Sequence, residues 1–180
     1  ANLEGANFSN VNLESSDLSS ANMQGANFSN ANLKGSDLSN SNMQGANFSN
    51  VNLTNADLAH AILENTNFNS ANMQDAQLYE TNIDNSNFEN VNLDNAYLYV
   101  CRIKNTNFSH ANLSDADLNH ASIINTNFKE ADLRRVNLSN SCIHCVDLEK
   151  PNLVDANLQG SNLTDANLEN VNIDDANLEE

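Results

Sequence analysis

Ala6-Asn7-Phe8-Ser9-Asn10 returns 20 residues later as Ala26-Asn27-Phe28-Ser29-Asn30, and again as Ala46-Asn47-Phe48-Ser49-Asn50. The phenylalanine of this segment recurs at the same interval as Phe68, Phe88, Phe108 and Phe128, and the chain has no other. A helix repeats roughly every 3.6 residues and a strand about every 2, so neither produces this interval. A chain that completes one coil in 20 residues does produce it, because each Phe then lies on the Phe of the next coil.

Inside the long period runs a short one. From Ala1 the chain divides into 36 pentapeptides without insertion or deletion. The third position is Leu, Phe, Met or Ile in all 36, and the first is small in 34, Cys101 and Pro151 being the exceptions. The second position is Asn or Asp in 30 of 36. Repetition on this scale overrides ordinary secondary-structure reading. Four pentapeptides fill one coil, so the expected fold class is an all-β solenoid of nine coils, a single domain over residues 1–180.

Burial explains the frame. The large apolar residue leaves water, which stabilises by roughly 1.5–3 kcal/mol each. The residue two before it points to the same side of an extended segment, and it is small because the walls converge on a narrow axis. The remaining positions face outward, where Asn, Ser, Asp and Gly supply turn chemistry. Asn residues stacked in register form amide ladders between coils.

These segments, with others such as Ala56-Asp57-Leu58-Ala59-His60, resemble the pentapeptide-repeat family over the whole chain. The resemblance implies a right-handed quadrilateral β-helix with four pentapeptides per coil. At about 4.8 Å per coil the rod is roughly 43 Å long. Some members of the family are acidic DNA mimics that bind DNA gyrase and confer quinolone resistance. Those relatives commonly dimerise through a C-terminal helix and carry loops between repeats, and this chain has neither pattern.

The formal net charge is −17, which argues against nucleic acid as a direct ligand, since that affinity rests on Lys and Arg. It favours a basic partner or plain solubility. No apolar run is long enough to span a membrane, and no signal segment is visible, so a soluble chain is expected. Open coil ends are adhesive edges. They predict either caps in a longer parent chain or end-to-end pairing with another copy, and Asp174, Asp175, Glu179 and Glu180 blunt one edge by charge.

All six second positions that are not Asn or Asp fall between residues 61 and 150: Ile62, Gln77, Tyr97, Arg102, Ser122 and Cys142. They occupy two adjacent columns of the 20-residue frame. Tyr79 and Tyr99 lie one coil apart beside them, and their rings are expected to stack. Lys104, Ile124 and His144 continue the departure. This is either a surface with relaxed constraint or a docking site for a protein partner, carried by Tyr79, Tyr97, Tyr99, Arg102 and Lys104. Tyr and Arg are the types that anchor interfaces.

The face of pentapeptides centred on 18, 38 and 58 has seven acids and no Lys or Arg. It holds Asp17, Asp37, Asp57 and Asp117 in one column, either a solvated face or a mimic's charge array. Repulsion between stacked carboxylates is expected to raise some of their pKa values.

Cys142-Ile143-His144-Cys145 is a lone CxxC with a histidine inside it. A structural zinc site takes four ligands, usually two such pairs, and no second pair exists, so Cys142, His144 and Cys145 are weak metal candidates. His120 is the nearest addition by column. Cys101 takes an inward position, and Pro151 removes a donor, with loss of one bond between coils expected. A rod with a filled axis offers no cleft, so no enzyme and no cofactor is expected. The leading expectation is a structural or protein-binding rod; the alternative is a gyrase-binding DNA mimic.

Overall fold

A computed structural model describes residues 1–179; Glu180 lies outside the described residues. The chain is a β-helix. Every backbone bridge joins residues 20 apart in parallel, from Asn2↔Asn22 through Asn157↔Asn177.

The pentapeptide Asn27-Phe28-Ser29-Asn30-Ala31 shows why the frame works, because each of its N–H groups has an assigned acceptor. Asn27 N–H donates to the Ala6 carbonyl of the preceding coil at 2.9 Å. Phe28 N–H and Asn30 N–H donate forward, to Asn47 O at 2.7 Å and Ser49 O at 2.9 Å. Ala31 N–H closes a local turn onto Phe28 O at 3.0 Å. Ser29 N–H is the one left over, and the Asn27 side-chain Oδ1 accepts it at 3.0 Å. The second position is therefore Asn or Asp because a short side-chain oxygen must reach the N–H two residues on. Its amide also builds the ladder: Asn72, Asn92 and Asn112 are linked Nδ2 to Oδ1 at 3.0 Å per step.

Every fifth residue from Gly5 to Asp175 has a positive φ, between 50° and 69°. Left-handed backbone is tolerated best by Gly and Asn, with Asp and His also enriched there. That is why those types crowd the corner.

Small first positions and apolar third positions form one continuous core running from Ala21 to Leu158. The seven Phe rings stack along it, with centroids 4.8–5.2 Å apart. Where Leu148 replaces the aromatic above Phe128, an apolar void of about 10 Å³ remains, lined by Leu118, Phe128 and Leu148 among others.

Four segments depart from the common turn: β1 (Asn82–Asp84), β2 (Arg102–Lys104), β3 (Ser122–Ile124) and β4 (Cys142–His144). They pair in parallel in that order to make one four-stranded sheet. Their centres are Ile83, Ile103, Ile123 and Ile143. Branching at Cβ favours extended backbone, and where four such residues stack the strand runs on into the fourth position; Ile173, stacked on Leu153 instead, keeps the common turn. At β1 the in-coil turn closure onto Ile83 is replaced by a hydroxyl of the next coil, Thr106 Oγ1 donating to the Ile83 carbonyl at 2.5 Å.

Pro151 corrects an expectation. In the column of Pro151 the first-position N–H serves the local turn, as Ala131 does onto Phe128 O at 3.0 Å, and does not join coils. The inter-coil bonds around Pro151 persist, Asn152 N to Ala131 O at 3.1 Å and Asn172 N to Pro151 O at 3.3 Å.

Candidate functional site

The departures from the frame gather around one corner of the rod. Tyr79 and Tyr99 stack at 5.1 Å with planes 6° apart, as the 20-residue spacing predicts. His60 meets Tyr79 edge-on at 5.3 Å. Tyr97, 43 % exposed, joins them with Gln77 around a shallow hollow of about 290 Å³. Burial first, then the nearby Asp57 charge, holds the Tyr79 phenol above its ordinary pKa.

Arg102 and Lys104 lie on the neighbouring face, where Val100, His120, Ser122 and Ile124 help line a second hollow of about 390 Å³. Arg102 is exposed but tied to the rod's own surface. Its Nε and Nη2 contact Asp84 Oδ2 at 3.0 and 2.9 Å, from β2 to β1. Asp84 is only 7 % exposed, and its Oδ1 is buried without a hydrogen-bond partner. The guanidinium is what makes that buried carboxylate tolerable.

Val100 stands between the two hollows. It is 50 % exposed and sits at φ 61°, a backbone region that penalises a β-branched residue. Among the described corner positions it alone is β-branched. Val100→Asn is therefore expected to stabilise the protein by about 1 kcal/mol, read as a higher urea midpoint. A lower midpoint would show that the corner is not strained.

The acidic column is in register through Asp17, Asp37 and Asp57, then broken by Gln77 and Tyr97 before Asp117. Each of these carboxylates accepts the N–H two residues on, at 2.9–3.1 Å, doing what Asn does elsewhere. The expected upward shift fails at Asp17. Ser19, by its hydroxyl first and its N–H second, holds the carboxyl below the usual range.

All three cysteines are free thiols. Cys101 is packed inside, and burial pushes its thiol up to about 11. The CxxC reading is corrected in membership. His144 and Cys145 gather with Asp165, their ligand atoms within 4.8 Å of one another, and Cys142 stays outside that group. His120 lies by Val100 instead. In this fold proximity comes from a step of 20, as from Cys145 to Asp165, rather than a step of three. Sequence reasoning missed Asp165, Asp84 and Val100, and the frame held a signal for each: a step of 20, an acid one coil below Lys104, and a branched residue at a corner.

Among the described residues no helix is long and apolar enough to cross a membrane.

The family model for pentapeptide repeats in eight copies matches residues 1–35 and 31–69, and that for a pentapeptide repeat region matches 51–119, 71–148 and 101–178. No curated protein matches the chain in sequence. Similar solved structures include HetL, a pentapeptide repeat protein involved in heterocyst differentiation regulation in the cyanobacterium Nostoc sp. strain PCC 7120. It is 25 % identical over 95 % of this chain and 86 % of its own, with a TM-score of 0.47. Another pentapeptide repeat protein of the same strain is 35 % identical over 46 % of this chain and 65 % of its own, at a TM-score of 0.43. Trypsin-treated QnrB1, a plasmid-mediated fluoroquinolone resistance protein, is 19 % identical over 97 % and 90 %, at 0.42. The family models cover the repeats end to end, and the hydrogen bonds show each position doing what the repeat asks of it: the chain belongs to the pentapeptide repeat family.

Proposed function

We propose that the chain is a non-enzymatic rod that binds a protein partner around Tyr79, Tyr97, Tyr99, Val100, Arg102 and Lys104. The observation that carries this reading is the exposed Val100, held in a left-handed corner between the tyrosine stack and the Arg102 face. Two features there work against the scaffold. Val100 strains the corner, and Tyr97 and Gln77 remove the side-chain acceptor that Asn or Asp supplies to the N–H two residues on. Local rules broken together at Gln77, Tyr97 and Val100, without evident gain to the fold from those three, mark function. One exposed and two half-buried tyrosines around a shallow hollow, an apolar residue and a half-free guanidinium are what interface hot spots are made of. The net charge of −17 keeps nucleic acid out and suits a basic or neutral protein surface.

A second reading is an acidic mimic of DNA that binds gyrase, favoured by the unbroken register of Asp17, Asp37 and Asp57. One comparison separates the two. Affinity capture is run with the wild-type rod, Tyr99→Ala, and a variant with Asp17, Asp37, Asp57 and Asp117 all changed to Asn. It is paired with gyrase supercoiling assays at two salt concentrations. The docking reading expects Tyr99→Ala to weaken the captured partner by about 30-fold or more, with little salt effect. The mimic reading expects salt-sensitive gyrase inhibition that the Asn variant loses. Capture indifferent to Tyr99→Ala removes the tyrosine site.

A further inference from the structure

We propose that His144, Cys145 and Asp165 form a surface site for a divalent transition metal of the zinc class. The three offer one nitrogen, one thiolate sulfur and one carboxylate oxygen, the donor types that Zn²⁺ takes. Their ligand atoms lie within 4.8 Å of one another, and His144 Nδ1 stands 3.9 Å from Asp165 Oδ2. Ligands at about 2.0–2.3 Å from a tetrahedral ion are roughly 3.3–3.8 Å apart. Closing the site therefore needs about an ångström of side-chain rotation and no movement of the chain.

The backbone beneath is already pinned. Cys145 N–H donates to Thr164 O at 3.3 Å, and Asn125 N–H donates to His144 O at 3.1 Å. His144 Nδ1 also lies 3.2 Å from the Thr164 carbonyl. That contact holds the ring beside Asp165, and Nδ1 releases it on taking the ion.

The scaffold alone does not ask for His144 or Cys145, while Asp165 is a type its corners carry elsewhere, as at Asp75 and Asp115. The same corner column runs Gly5, Gly25, Gly45, Asn65, Asn85, Asn105 and Asn125, residues suited to positive φ, and then turns to Cys145 and Asp165. In the adjoining column, Lys104 and Ile124 precede His144. Two departures, His144 and Cys145, meet an acid of the next coil, Asp165. Three protein ligands leave a fourth position open to water or to a donor from another molecule.

The test is a titration of the reduced protein with Co²⁺, followed by absorption. The expected result is saturable binding with a thiolate-to-cobalt charge-transfer band in the near ultraviolet, displaced by Zn²⁺. Cys145→Ser should abolish the band, and His144→Gln and Asp165→Asn should each weaken binding by at least about tenfold. All three replacements already stand at equivalent positions of the rod, as Ser70, Gln44 and Asn125, so thermal melting should not change. Cys142→Ser should leave Co²⁺ binding as it was. The proposal is overturned if the wild type gives no such band. It is equally overturned if the band survives Asp165→Asn at full affinity while Cys142→Ser removes it, which would assign the ion to the CxxC pair.

Discussion

Phe68→Ala is expected to lower stability by about 3–5 kcal/mol. The ring is 0 % exposed and lies between Phe48 at 5.2 Å and Phe88 at 4.8 Å. Its removal opens a void that the neighbouring coils, tied together by backbone bonds on every side, have little freedom to fill. Phe8→Ala is the internal comparison. Phe8 is only partly buried and meets one ring, Phe28 at 5.0 Å. Its loss should cost markedly less, because stability in a stacked array is a sum of coil terms and nearest-neighbour contacts. Urea unfolding of both variants reads the difference, and equal losses at the two positions would contradict the stacked axis.

Asn92→Pro is expected to cost about 4 kcal/mol, from four hydrogen bonds at roughly 1 kcal/mol net each. Asn92 N–H donates to Ala71 O at 3.0 Å. The side chain donates to Asn72 Oδ1 at 3.0 Å, and its own Oδ1 accepts from Asp94 N–H at 3.3 Å and from Asn112 Nδ2 at 3.0 Å. Val91→Pro, one residue earlier, removes only the local bond to Phe88 O at 3.2 Å. It should cost about 1 kcal/mol. Pro151 shows that the first position accepts the ring without breaking the inter-coil bonds on either side. Similar melting of the two proline variants would mean that first and second positions do not divide the work in this way.

The coil was legible because it is a one-dimensional fact. Once the chain advances by 20 residues per coil, residue i lies on residue i + 20, and the Phe ladder, the Tyr79–Tyr99 stack and the Asn ladders follow by counting. The acidic column was legible in the same way, and so was the crowding of departures at Tyr97 and Arg102. The strands were not extracted, although Ile83, Ile103, Ile123 and Ile143 carried them, because the frame treats every large apolar residue at the third position alike.

The sequence by itself thus determined the period, the inward and outward positions and the columns. Tertiary structure alone decided where side chains turn and which partner each polar group takes. Arg102 faces outward by the frame, yet it folds onto Asp84, whose buried carboxylate needs a counter-charge. Asp17 sits among like charges, yet its pKa falls because Ser19 is the nearer influence. Pro151 spares the joints between coils because the first-position N–H points along its own turn. Cys145 gathers with Asp165 and not with Cys142 for the same reason: a periodic sequence says which residues are stacked, while rotamers and hydrogen-bond geometry, set by the packed neighbours in three dimensions, say which of their atoms meet.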